Sequence, residues 1–528
     1  MKPIITPLYL SLFLHILSLL VAGQPPPIFS PVDDITLACG NSGEQSTYFD
    51  PRTWIGDISS KYSPIEVGKS NTTSQTRKAP PSPSSASQVP YTTARLSFLE
   101  FTYKIPLSPG QKFIRLHFNP ASYPDFDRSN SLFSVKAGGS FTLLKDFNAS
   151  VTADVDGSET FMREFCVNID PELQSLNITF TPAKDAYAFI NGIEIVSMPP
   201  SLYYTSSSKF IGSETPYAIE NNTALEMVYR INIGGSPISP NQDTGMYRNW
   251  EADDERYLDD ASREFSVLPQ NNTIELNFVT IREYSAPKAV YVTGRSMGMN
   301  KTINKSYNLT WVFPLDPKFY YLVRLHFCEF EPDIINYGDR SFQIYVANQT
   351  AEGLADVIGW SGGNGNPVYR DYVVGMFMPP VGGRKKVDLF LVLAALQKDS
   401  YTSYNDAILN GLEIFKLNNS IGNLAGPNPS PQAKAMQSSP KKTNKKSTPM
   451  LAIVVSVVSS ILLVLVLSVL RFLVFRRRRR EVKDSGYSYG MTNSSPPFHL
   501  CHYFSLAEIR AATQNFKRDF YYWCWRIP

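Results

Sequence analysis

PLSPGQKFIRLHF (Pro106 to Phe118) occurs twice in this chain. Its echo is PLDPKFYYLVRLHF (Pro314 to Phe327), with one residue inserted. Each copy reads as a proline-led turn running into a strand, because apolar and polar positions alternate and β-branched or aromatic residues dominate. Two further landmarks keep the same order. SLFSVKAGG (Ser131 to Gly139) answers to RSFQIYVANQ (Arg340 to Gln349), and AFINGIEI (Ala188 to Ile195) answers to AILNGLEIF (Ala407 to Phe415). Three landmarks repeated in order indicate a duplicated domain. Short alternating runs broken by Pro, Gly, Asn and Ser clusters point to β-sandwiches in both copies.

Around this core the chain divides further. Leu8 to Ala22 is an apolar stretch behind Lys2, too short to span a bilayer and laid out as a secretory signal, so residues 1–23 are expected to be cleaved. The two sandwiches are assigned to 24–203 and 204–418, with a hinge near Pro199 to Ser208. A Ser/Pro-rich insertion, Ser70 to Pro90, reads as a mobile loop, and 419–449 as a polar stalk. Met450 to Leu470 is an uncharged run of transmembrane length, closed by Arg471 and Arg476 to Arg480. The arginine block favours the cytoplasm for 471–528, a short and largely disordered tail with one helix over Phe504 to Phe516. The fold class expected is therefore mainly β: two tandem sandwiches outside, one transmembrane helix, and the tail inside, placing the chain at the plasma membrane with its N-terminus extracellular.

Glycosylation sequons fit that sidedness. Asn71, Asn148, Asn177, Asn221, Asn271, Asn300, Asn304, Asn308, Asn348 and Asn418 each open N-x-S/T without proline. Composition excludes other classes. A net charge of +3 over 528 residues gives no nucleic-acid footprint. Five cysteines do not make a disulfide scaffold, and of Cys39, Cys166 and Cys328 at most one pair could bridge. No catalytic, cofactor or metal site is expected.

RLHF behind its proline, the NG-[IL]-E-I strand, ACGNSG (Ala38 to Gly43), YRNWEADDERYL (Tyr247 to Leu258) and FSLAEIRAATQNF together resemble plant malectin-like receptor kinases, the group of FERONIA, ANXUR and THESEUS. The resemblance implies tandem malectin-like domains facing the cell wall. It also implies a secreted rapid-alkalinisation-factor-like peptide as ligand, a GPI-anchored LORELEI-like co-receptor, contact with cell-wall polysaccharide, and an inner Ser/Thr kinase. After Phe516 the sequence reads KRDFYYWCWRIP, with no G-x-G-x-x-G, H-R-D or D-F-G element. A receptor with no kinase core, acting as a decoy or coming from a truncated gene model, is the expectation. A carbohydrate-binding wall anchor is the alternative.

Candidate contact residues come from two segments. Asp253, Asp254 and Glu255, in the acidic run Glu251 to Asp260, could attract a basic peptide by charge. Trp360, Tyr369, Arg370 and Tyr372, in a Gly-rich stretch read as a long exposed loop, could anchor a protein or sugar. Arg115, His117, Arg324 and His326 share strand faces and read as a duplicated structural network rather than a ligand site. Arg384, Lys385 and Lys386 form the compact basic cluster of the second copy.

Overall fold

The computed structural model describes residues 28–429, except 47–49, 51, 67–73, 83–87, 254, 260–261, 263–266, 299, 383 and 399–400. The signal segment, the span, the arginine block, the tail helix and Asn71 lie outside the described residues. Among the described residues no helix is long and apolar enough to cross a membrane.

Each repeated RLHF segment becomes a central strand, Gly110–Phe118 and Tyr320–Phe327, and each NG-[IL]-E-I segment pairs with it antiparallel. The register is the same in both copies: Gly192 and Glu194 lie opposite His117 and Arg115, as Gly411 and Glu413 lie opposite His326 and Arg324. Alternation sends one set of side chains inward. Ile114, Leu116 and Phe118 enter one hydrophobic core, and Tyr321, Val323, Leu325 and Phe327 enter the other. The first core is closed by a five-stranded sheet that includes Phe101–Pro106, Phe133–Ala137 and Ser175–Pro182. The second is closed by a four-stranded sheet of Leu309–Leu315, Ser341–Val346, Gln349–Asp356 and Val387–Ala395.

The two copies are less separate than a tandem pair of sandwiches would be. Phe161–Ile169 of the first half pairs with Leu225–Asn232 of the second, Phe165 opposite Glu226 and Cys166 opposite Leu225. This seam joins the central strands of both halves into one twelve-stranded sheet among the described residues. The expected hinge is a packed wedge, because Leu202, Tyr203 and Tyr204 are buried on the outer face of that sheet beside Phe113, Leu322 and Phe415. The Tyr203 and Phe415 rings lie 4.3 Å apart.

Three other expectations shift. Within the Ser/Pro-rich insertion, Gln75–Lys78 forms a strand paired with Thr93–Ser97. The Gly-rich stretch opens as a short helix, Val357–Ser361, capped by Asp356 at its N-terminus and left-handed Gly362 at its C-terminus, and then enters strand Val368–Gly375. The segment after Asn418, read as stalk, is docked as far as residue 429. Leu424 is fully buried in the first core; its backbone N–H donates to Thr142 O, and the Thr142 N–H donates to Gly422 O. Cys39, Cys166 and Cys328 are all buried free thiols.

Candidate functional site

A polar hub lies at the rim of each core, and the two hubs share a glycine, an aspartate and an arginine at matching positions. In the first, Asp57 accepts from the Gly40 backbone N–H at 2.8 Å, from Arg95 Nε and Nη2 at 2.9 Å each, and from the Tyr103 hydroxyl at 2.6 Å. In the second, Asp253 accepts from the Gly234 N–H at 3.1 Å and from Arg295 Nε. Gly40 and Gly234 both have positive φ, and a Cβ on either would meet a backbone oxygen at 2.2 Å, so only glycine fits. Asn191 Nδ2 donates to Thr93 O and Asn410 Nδ2 to Thr293 O, at 2.7 and 2.8 Å.

A second shared constellation sits beside each hub. The Tyr91 hydroxyl meets His117 Nδ1 at 2.9 Å, and Trp54 packs edge-on against the His117 ring. Tyr291, His326 and Trp250 repeat this arrangement at the same 2.9 Å. Burial holds His326 below its ordinary pKa, with Arg324 and Arg248 adding to the effect against Glu413, so this imidazole is neutral.

These groups belong to a row of alternating charge across the outer face of the long sheet. Arg324 binds Asp371 at 2.7 Å and lies opposite Glu413 in register. Arg230 reaches Glu413 at 3.5 Å and Glu164 at 2.7 Å across the seam. Arg115 binds Glu164 at 2.6 Å and Glu194 at 3.2 Å, and Arg52 closes the row on Glu194 at 2.9 Å. Burial alone would raise these carboxyls. Arg230 and Arg115 nevertheless hold Glu164 low, and Arg52, His117 and Arg115 hold Glu194 well below the usual carboxylate range. Because side-chain period is two, a one-residue slip would turn the whole row into the apolar core, so the row fixes register where the seam itself supplies only two residue pairs. The duplicated Arg and His residues are structural, as their pattern suggested.

The sequence-picked contact residues separate. Asp253 is turned inward as the partner of Arg295, because it occupies the position Asp57 holds in the first hub. Tyr372 is fully buried in the second core, its hydroxyl 3.3 Å from Glu352, because inward positions of its strand alternate with outward ones. Neither is free to anchor a partner. Asp254 and the Glu255 side chain lie outside the described residues. Trp360, Tyr369 and Arg370 stay partly exposed, but Tyr369 lies on the outer face of the sheet beside His326, opposite the face that Arg370 shares with Trp360. Arg370 lies over the Trp360 ring at 4.9 Å and meets Glu352 at 3.3 Å, while the Tyr369 ring carries the Arg324 guanidinium at 3.8 Å. Beside the second hub a cleft of about 690 Å³ is lined by Asn232, Gly234, Gly235, Gln242, Asp253 and Lys288.

Sequence reasoning missed both hubs, although their signal is visible. W-x-x-D recurs at Trp54–Asp57 and Trp250–Asp253, and YTTAR (Tyr91 to Arg95) recurs as YVTGR (Tyr291 to Arg295). Of the sequons, Asn177, Asn221, Asn300, Asn308 and Asn348 are exposed, and Asn148, Asn271 and Asn418 are half-buried. Asn304 is a correction: it is buried, and its Nδ2 donates to Gly298 O at 2.6 Å and Asn405 O at 3.1 Å, leaving no room for a glycan in this fold.

The malectin-like domain family matches residues 37–417. The chain belongs to that family. Among its malectin-like relatives is the receptor-like protein kinase FERONIA of Arabidopsis thaliana, 41% identical over 527 residues, a match covering 93% of this chain and 57% of FERONIA. The chain thus spans about 57% of that relative's length. It is also similar to the FER chain in a solved structure of the plant peptide RALF23 in complex with FER and LLG2, at 42% identity and a TM-score of 0.66, covering 76% of this chain and 99% of that one. The ANXUR2 extracellular domain from Arabidopsis thaliana matches at 34% identity and a TM-score of 0.67, covering 76% of this chain and all of that one. The malectin-like match accounts for the described β fold and contains no kinase domain.

Proposed function

We propose that this chain is a cell-surface receptor that binds a secreted peptide of the rapid-alkalinisation-factor type together with a small GPI-anchored co-receptor. One observation carries the reading: the fold matches nearly the whole of an FER chain solved with such a peptide and LLG2. In this reading 1–23 is a signal peptide, 24–203 and 204–418 are two malectin-like domains, 419–449 joins them to a span at 450–470, and 471–528 is cytoplasmic. The two hydrophobic cores and two hubs support the division. Trp360 and Arg370, together and partly exposed on one face, are the proposed contact patch, with Tyr369 a separate proposed contact on the opposite face.

The test is calorimetry on the full chain in detergent, titrated with a rapid-alkalinisation-factor peptide and a LORELEI-like co-receptor. A saturable three-component complex is expected, weakened by Arg370→Glu. No heat with either partner alone or with both would end the proposal. Retention of cell-wall polysaccharide on the same chain, with no peptide complex, would favour the wall-anchor reading instead.

A further inference from the structure

We propose that the loop between strands Val368–Gly375 and Val387–Ala395 rests on the lipid surface, through Phe377, Met378 and Val381. The proposal depends on reading residues 450–470 as a membrane span. Met378 and Val381 are 75% and 74% exposed, and Phe377 is 54% exposed. Three large apolar side chains within five positions form a patch that water disfavours. Pro379 and Pro380 between them fix the backbone and remove two donors, so the tip is stiff. Its base is anchored, because the Phe377 ring packs edge-on to Tyr320 at 4.9 Å.

What covers this patch follows from where the chain leaves the fold. Lys385 Nζ donates to Asn428 O at 2.8 Å, and Asn428 is pinned to the first half through Asp146 O at 2.6 Å. The loop therefore sits on the last docked residues of the chain. From Ser430 to Pro449 there are 20 residues before the apolar run begins. Even fully extended, 20 residues reach no more than about 70 Å, so the point where the chain leaves the fold, beside this loop, lies within that distance of the apolar run. Apolar residues at a stiff tip with cations behind them match the pattern of interfacial membrane contacts. A polyanionic polysaccharide would need the cations free, but Arg384 is paired with Asp388 at 2.7 Å and Lys385 is bonded to Asn428. The apolar tip is thus the dominant element, and a zwitterionic surface suffices.

The test uses the full chain in phosphatidylcholine nanodiscs, with Met378→Cys carrying an environment-sensitive fluorophore and Cys501→Ser with Cys524→Ser removing the tail thiols. Cys39, Cys166 and Cys328 are buried and stay unlabelled. Brominated lipid is expected to quench the label at least about twofold, while a control label at exposed Asn348→Cys stays bright. A chain that incorporates into discs but shows no quenching at position 378 overturns this proposal alone. A chain that does not incorporate overturns the span reading as well. Shielding of the label by polygalacturonate in lipid-free detergent, with no effect of brominated lipid, would assign the loop to polysaccharide and overturn the lipid contact.

Discussion

Arg340 faces three carboxylates at the neck of the loop that follows strand Tyr320–Phe327. It meets Glu329 at 2.6 Å and Asp406 at 2.8 Å, and it also meets Glu331. Burial raises Glu329 to about 7 and Asp406 to about 6, and Arg340 offsets this only partly. A carboxyl whose folded pKa is raised holds its proton more tightly in the fold. Its stabilising effect is complete below the unfolded value near 4.5 and is lost as pH climbs through about 7. At 1.36 kcal/mol per pH unit, Glu329 alone gives a loss on the order of 3 kcal/mol across that window. Glu194 and Glu413 act in the opposite sense: their folded values are depressed, so their contribution is present above the usual carboxylate range and lost in acid. Through Glu329 and Asp406 stability should fall from pH 5 toward pH 8, with His326, whose folded value is lowered, partly opposing the fall below its ordinary pKa. Urea unfolding followed by tryptophan fluorescence at pH 5, 6, 7 and 8 measures this, with Glu329→Gln as the comparison. The variant should lose most of the slope. A wild-type curve that is flat over this range, or a variant with an unchanged slope, would refute the reasoning.

Three more outcomes are expected. Asp57→Ala and Asp253→Ala should each cost about 3–5 kcal/mol, because Arg95 and Arg295 are both buried and each loses its carboxylate partner; thermal unfolding of the two variants checks this, and a loss below about 1 kcal/mol for either would contradict it. Leu424→Ala should cost about 2–5 kcal/mol, as for a core leucine, although it lies beyond the last strand; denaturant midpoints check this. Glycopeptide mass spectrometry of protein from a plant host should find glycan at Asn177, Asn308 and Asn348 and none at Asn304.

Much of this architecture was legible. Strand alternation around RLHF and NG-[IL]-E-I revealed the duplication, because a half-buried strand must repeat every second residue. The seam was not legible: it rests on two residue pairs and on an Arg230–Glu164 ion pair whose partners lie far apart in sequence. Asp253 and Tyr372 misled for a related reason. An acidic run and a glycine-rich aromatic run look solvated on paper, but a buried arginine claims one residue and strand parity claims the other. The docked segment after Asn418 was also hidden, since one leucine among prolines and asparagines carries no periodic signal.

That leucine has a consequence for biosynthesis. The N-terminal core includes Leu424, so its packing stays incomplete until the ribosome has synthesised residue 424. A nascent first half must wait with an open apolar socket. Any product that stops before residue 424 leaves that socket vacant.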